Sequence, residues 1–217
     1  MDKIIHKNRY LLFEFLLLFL GIPLFLFLKS DLIHPSIVLL PFMVFISILL
    51  RLSKKFNWHE LWYFRIKKDM ILKQLGIVAA IILLMFCWVY LFDRKNLFNL
   101  PSQNLKIWLM IICFYPVFSA YTQEIIFRTF IFKRYRRLFK NEQIMIFASA
   151  CVFSFAHLFY YHPVSMTLTF LLGIYMGWIY QKTHSVIFAA ILHGLIGIAV
   201  FTIGLGQYFW IDMNKWL

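Results

Sequence analysis

Three cysteines in 217 residues leave little for covalent bracing. Cys87, Cys113 and Cys151 each lie inside an apolar run. The count is odd and the spacing suits no metal, so they read as small hydrophobes and a disulfide framework is excluded. Low-complexity linkers and clear repeats are missing, which leaves a single transmembrane domain over residues 1–217. No run alternates apolar and polar residues with a period of two, so a membrane barrel is excluded. The zinc signature His-Glu-x-x-His is absent as well. The first apolar run follows Lys3, Lys7 and Arg9 but carries no small-x-small cleavage site before Lys29-Ser30-Asp31. It reads as a retained anchor rather than a signal peptide.

What is present is apolar. Hydrophobic residues make up 63% of the chain and aromatic residues 20%, and the mean hydropathy is +0.79. An ordinary soluble domain is nearer half apolar. The chain is therefore read as an integral, multi-pass membrane protein, in a bacterial cell membrane by its Phe/Ile/Lys-rich composition. Spans are expected near 10–28, 32–50, 71–92, 107–132, 143–161, 164–181 and 185–205, at roughly 20 residues per crossing. Helices satisfy every backbone polar group within the segment, which lipid requires. The fold expected is all-α, a polytopic bundle of about seven or eight transmembrane helices.

A net charge of +13 would point to nucleic acid in a soluble protein. Here the basic residues gather in the loops on one side of the spans, the signal of membrane orientation, so a nucleic-acid partner is set aside. Lys3, Lys7 and Arg9, the loop with Arg51, Lys54, Lys55, Arg65, Lys67 and Lys68, the loop with Lys133, Arg134, Arg136, Arg137 and Lys140, and Lys182 share that side. Lys29, Arg94, Lys95, Lys106 and Lys215 fall on the other. The N-terminus is thus placed in the cytoplasm, with anionic lipid as a partner of the basic side. Arg51 to Asp69 mixes basic residues with Phe56, Trp58, Trp62, Tyr63 and Phe64. It reads as an amphipathic segment in the interface or as a gate for substrate.

Ionisable groups inside apolar runs are costly in lipid, and they mark function. Three stretches carry them: Gln123-Glu124-x-x-x-Arg128, Phe153-x-x-x-His157 and His193-Gly194. Glu124 and Arg128 are four apart, on one helix face, and can pair. From the expected cytoplasmic helix ends, Glu124 and His157 lie roughly 21 Å deep and His193 roughly 16 Å, at 1.5 Å per residue. A shared depth suggests one polar site. His6, His34, His59, His162 and His184 fall near span ends and are assigned no chemistry. A carboxylate with an imidazole can activate water, and a second imidazole can serve an oxyanion. The same Glu124, His157 and His193 can alternatively hold zinc.

Over about residues 107–200 these motifs resemble the CPBP family, intramembrane proteases related to the CAAX prenyl proteases and the bacterial Abi proteins. That family carries Glu-Glu-x-x-x-Arg, Phe-x-x-x-His and His-x-x-x-Asn on successive helices. The resemblance implies peptide-bond hydrolysis in the membrane without a metal cofactor, on a peptide or lipidated protein. It implies that Glu124, with Gln123, and His157 position the water, His193 stabilises the oxyanion and Arg128 fixes Glu124. Two positions depart. Gln123 stands where the family has its first glutamate, and an amide has no basic lone pair. Gly197 stands where the family has asparagine. Three readings follow: Glu124 takes over as base, with Thr202 or Gln207 replacing the lost donor; the chain is a pseudoprotease that binds a membrane partner in immunity or regulation; or Gln123 is an introduced inactivating change. A transporter is disfavoured, since no paired broken helices or repeated halves are visible.

Overall fold

The computed structural model describes residues 2–29, 35–52 and 56–209. Ser30, Asp31, His34, Lys54, Lys55 and Lys215, used above for span ends and sidedness, lie outside the described residues. Among the described residues the regular structure is all helical, as the composition requires. Six helices are long and apolar enough to cross a membrane: α1 (Asn8–Leu28), α3 (Lys68–Phe92), α4 (Leu105–Arg134), α5 (Glu142–Tyr160), α6 (Pro163–Thr183) and α7 (Val186–Ile203). A seventh, α2 (Pro35–Arg51), has 17 residues. Against the expectation of about seven or eight spans, the described residues hold six helices of spanning length and one shorter apolar helix. The chain is an integral, multi-pass membrane bundle.

Polar residues punctuate the apolar runs by capping them. Asn104, Asn141 and Ser185 each accept a hydrogen bond from the backbone N–H three residues on, which opens α4, α5 and α7. His162 does the same for Val164, with Pro163 as the first residue of α6. Gly204, at φ 118°, ends α7 in a conformation that an L side chain resists.

The core has two halves. Phe19, Ile46, Ile126, Phe130 and Phe153 join α1, α2, α4 and α5. Val78, Met85, Met176, Leu192 and Ile196 join α3, α6 and α7. Side chains such as Phe13, Leu84 and Leu91 face outward, where lipid takes the place of further core. Helix α7 is the hub: 67% of its apolar window is buried, and it packs on α3, α4 and α6. The candidate site residues lie between the two halves.

The aromatic stretch before α3, expected to be an amphipathic interfacial segment or a substrate gate, carries one short turn. Trp58–Trp62 is one 3-10 turn tied into the bundle. Tyr121 donates to the Leu61 carbonyl (3.0 Å) and Ser185 to the Tyr63 carbonyl (2.6 Å), while Lys133 pairs with Glu60. Trp62 and Tyr63 remain exposed. These bonds to α4 and α7 hold the loop as a buttress.

Candidate active site

Helix α4 is wound unevenly, and that winding builds the site. Two π-type turns, Tyr115–Tyr121 and Ile125–Phe130, bracket the single α-helical turn Thr122–Glu124. Extra residues of this kind are common at functional sites because they re-aim side chains. Tyr115, Ser119 and Gln123, four apart, all line one cavity of about 320 Å³. Glu124, next along, points elsewhere and is fully buried.

Each Glu124 oxygen has a partner. Oε1 lies 2.8 Å from His193 Nδ1, and Oε2 lies 3.0 Å from Arg128 Nε. Arg128, also fully buried, donates to Ser149 Oγ, which passes a bond to the Phe127 carbonyl (2.8 Å). Its guanidinium sits 5.2 Å from the centre of the Phe153 ring. Arg128 and His193 together compensate a carboxylate that would otherwise be prohibitive in lipid. The buried Glu124–His193 pair has the form of a catalytic dyad.

The tautomers of both histidines follow from their acceptors. His193 Nδ1 faces a carboxylate, so it carries the proton, and Nε2 meets the Tyr115 hydroxyl at 3.1 Å. His157 Nδ1 lies 2.7 Å from the Phe153 carbonyl, so it donates there and leaves Nε2 as a lone pair. That carbonyl is available because α5 tightens at its end: the His157 N–H turns to the Ser154 carbonyl instead. His157 therefore lies on the expected fifth span, but beyond the end of its α-helical part. It follows the last α-helical residue, Phe155, in the turn before Leu158–Tyr160.

Gln123, His157 and His193 line the larger cavity; Glu124 and Arg128 are not among its walls. A second cavity of about 140 Å³ opens among Leu18, Phe19, Ile22, Leu39 and Phe42. The two cavities share Ser119, Gln123, His157 and Tyr160, which form a polar waist between apolar chambers. At that waist Gln123 Nε2 donates to Ser119 Oγ at 2.9 Å, and Gln123 Oε1 is buried without a protein partner.

The zinc alternative does not assemble. Among the described residues no group of three histidine, cysteine, aspartate or glutamate side chains could hold a metal. Glu124 and His193 face each other as acceptor and donor rather than pointing at a common centre. Thr202 and Gln207 are also elsewhere: Thr202 is engaged by Trp108 (2.9 Å) and Gln207 by Asp93 (2.7 Å). Tyr115 occupies the place a side chain at 197 would need. A Cβ on Gly197 would lie 2.5 Å from the Tyr115 hydroxyl oxygen and overlap the ring. Sequence reasoning passed over both Tyr115 and Ser119. Ser119 lies four residues and Tyr115 eight residues before Gln123, and that shared face was the available signal.

Residues 104–199 match the model of the type II CAAX prenyl endopeptidase Rce1-like family. The match covers α4 to α7 apart from the last four residues of α7, which includes the whole waist and the Glu124–His193 pair. Over this stretch, a little under half of the chain, the sequence is similar to that family. No curated protein and no solved structure matches the chain.

Proposed function

We propose that the protein is an intramembrane endopeptidase of the CAAX-protease-like type, acting as a single transmembrane unit on a peptide or lipidated protein. The observation that carries this reading is the waist. Two apolar chambers meet there at His157, whose Nε2 lone pair is free, and at Gln123, whose amide can orient but not deprotonate. A scissile amide at the waist would have an apolar arm in each chamber. Water held between Gln123 and His157 would attack it. Glu124, walled off and paired with Arg128, acts as the group that orients His193 rather than as the base itself. The one-sided distribution of basic residues supports a cytoplasmic N-terminus, on the side where anionic lipid would bind.

The neutral amide of Gln123 favours a second reading, a pseudoprotease that holds the same peptide without cutting it. Both are decided with purified protein in liposomes and a panel of farnesylated and leader-type peptides. The endopeptidase reading expects cleavage that falls by about a hundredfold or more in His157→Ala. Equal cleavage by that variant sinks the assignment. Peptide retained on the wild-type protein but never cut would move the conclusion to the second reading.

A further inference from the structure

Hydrolysis at the waist needs a group that can keep the proton taken from water. His157 is poorly placed for this. Its Nδ1 meets only the Phe153 carbonyl, and Phe153, Phe159, Tyr160 and Phe209 surround the ring. Gln123 beside it is neutral. An imidazolium there would be an uncompensated charge in apolar surroundings, which is costly.

His193 is the opposite case. A proton arriving at its Nε2 would make an imidazolium whose Nδ1–H already lies 2.8 Å from a carboxylate oxygen. Arg128 holds the other oxygen of that carboxylate. The group on Nε2 is the Tyr115 phenol, at 3.1 Å. Because neutral His193 carries its proton on Nδ1, the phenol must be the donor. Glu124, His193 and Tyr115 are therefore hydrogen-bonded in one direction, and the chain ends on Tyr115, a residue that lines the cavity.

We propose that Glu124, His193 and Tyr115 form a proton relay, and that the Tyr115 oxygen is the proton-accepting group of the cavity, in place of the carboxylate missing at position 123. Its use in hydrolysis rests on the endopeptidase reading; the relay itself does not. In the attack step a water O–H breaks and its oxygen bonds to the scissile carbon, while the carbonyl pair moves to oxygen. The water's proton passes to the phenol oxygen as the phenol's own proton passes to Nε2. On collapse the carbonyl re-forms, the C–N bond breaks, and the proton returns through Tyr115 to the leaving nitrogen. The same relay makes Tyr115 a nucleophile toward an electrophile lodged in the cavity.

A lipophilic arylsulfonyl fluoride tests this on the protein in liposomes. The phenol oxygen bonds to sulfur, fluoride leaves, and His193 takes the phenol's proton. Tyr160 and Tyr175 line the same cavity without an imidazole partner, Tyr175 donating to Gln74 instead. Mass spectrometry should place the adduct on Tyr115 rather than on those two, with loss of the adduct in His193→Gln. Equal modification of Tyr115 and Tyr160 overturns the relay, and that comparison within the wild-type protein needs no variant to fold. An adduct undiminished in a folded His193→Gln overturns it as well. On cleaved peptides, Tyr115→Phe should lower kcat about a hundredfold with KM little changed; an unchanged kcat removes Tyr115 from the reaction. Selective labelling by a wild-type protein that cleaves nothing would leave the relay standing and remove the endopeptidase reading.

Discussion

Position 123 faces both chambers with an amide whose oxygen is buried and unpartnered. An orphaned buried acceptor costs about 1–3 kcal/mol, so a donor belongs there when the site is at work. A carboxylate at this point would lie by His157 and supply the counter-charge that its imidazolium lacks. Gln123→Glu is therefore expected to raise kcat about a hundredfold, the order of a positioned acid–base group. Peptide cleavage in liposomes reads it directly, and no gain would mean that a carboxylate at 123 adds nothing to the proton acceptance already supplied in the cavity. The run Gln123-Glu124-x-x-x-Arg128 was legible because charge inside an apolar span is rare. Tyr115 was not, since one phenol among 11 tyrosines carries no signal of its own. The break of α5 after Phe155 was equally hidden: the next helix-breaking residue is Pro163, and Ala156 and His157 are ordinary helix residues. Glu14 was overlooked in the first apolar run, although it too is a charge in a span. It accepts from Arg134 (2.6 Å) and Tyr135 (2.6 Å), which fastens α1 to the end of α4.

Among the elements, α5 and α6 must lie close for His157 to reach the waist, and two glycines allow it. A Cβ on Gly173 would sit 2.9 Å from the Ala150 Cα, and one on Gly177 would sit 3.0 Å from Ile146. Gly173 and Gly177 are four apart, the small-xxx-small spacing that lets helices approach in lipid. Both positions were readable in the sequence, but only contact with α5 gives them meaning. Gly173→Leu should push α5 outward and carry the His157 turn away from Gln123. Overpacking of this sort costs about 1–3 kcal/mol. The loss should appear as a lower Tm in detergent and as a drop in any cleavage. A Cβ on Gly76 of α3 would meet nothing within 4 Å, so Gly76→Leu serves as the contrast and should leave both unchanged. A Gly173→Leu protein as stable and active as wild type would show that the close approach is dispensable.

Over the whole molecule, the tertiary bonds sort the helix ends into two groups. Glu14 near the start of α1 joins Arg134 at the end of α4. Glu60 and Tyr63, shortly before α3, join Lys133 and the Ser185 cap of α7. At the opposite end Asp93, just after α3, accepts from Gln207 and Tyr208, just after α7, and Tyr208 stacks on His162 at the start of α6. The chain thus enters α1 and α3 from the same end. Having left α1 at the far end, it must return through α2 before α3 can begin. Seventeen residues give α2 about 25 Å at 1.5 Å per residue, short for a hydrocarbon core of about 30 Å but at the lower limit of known spans. On this path α2 would be the seventh crossing and the end of α7 would lie opposite the N-terminus, the arrangement expected from the basic loops. Single cysteines at Arg136 and Arg94, in a protein lacking Cys87, Cys113 and Cys151, test it with a membrane-impermeant maleimide. In inside-out vesicles Arg136→Cys should react and Arg94→Cys should stay protected; right-side-out vesicles should reverse the pattern. The opposite pattern, with Arg94→Cys reacting in inside-out vesicles and Arg136→Cys protected while the N-terminus stays cytoplasmic, would mean that α2 does not cross. The waist would then open toward a different leaflet, and the peptides offered to it would have to be chosen again.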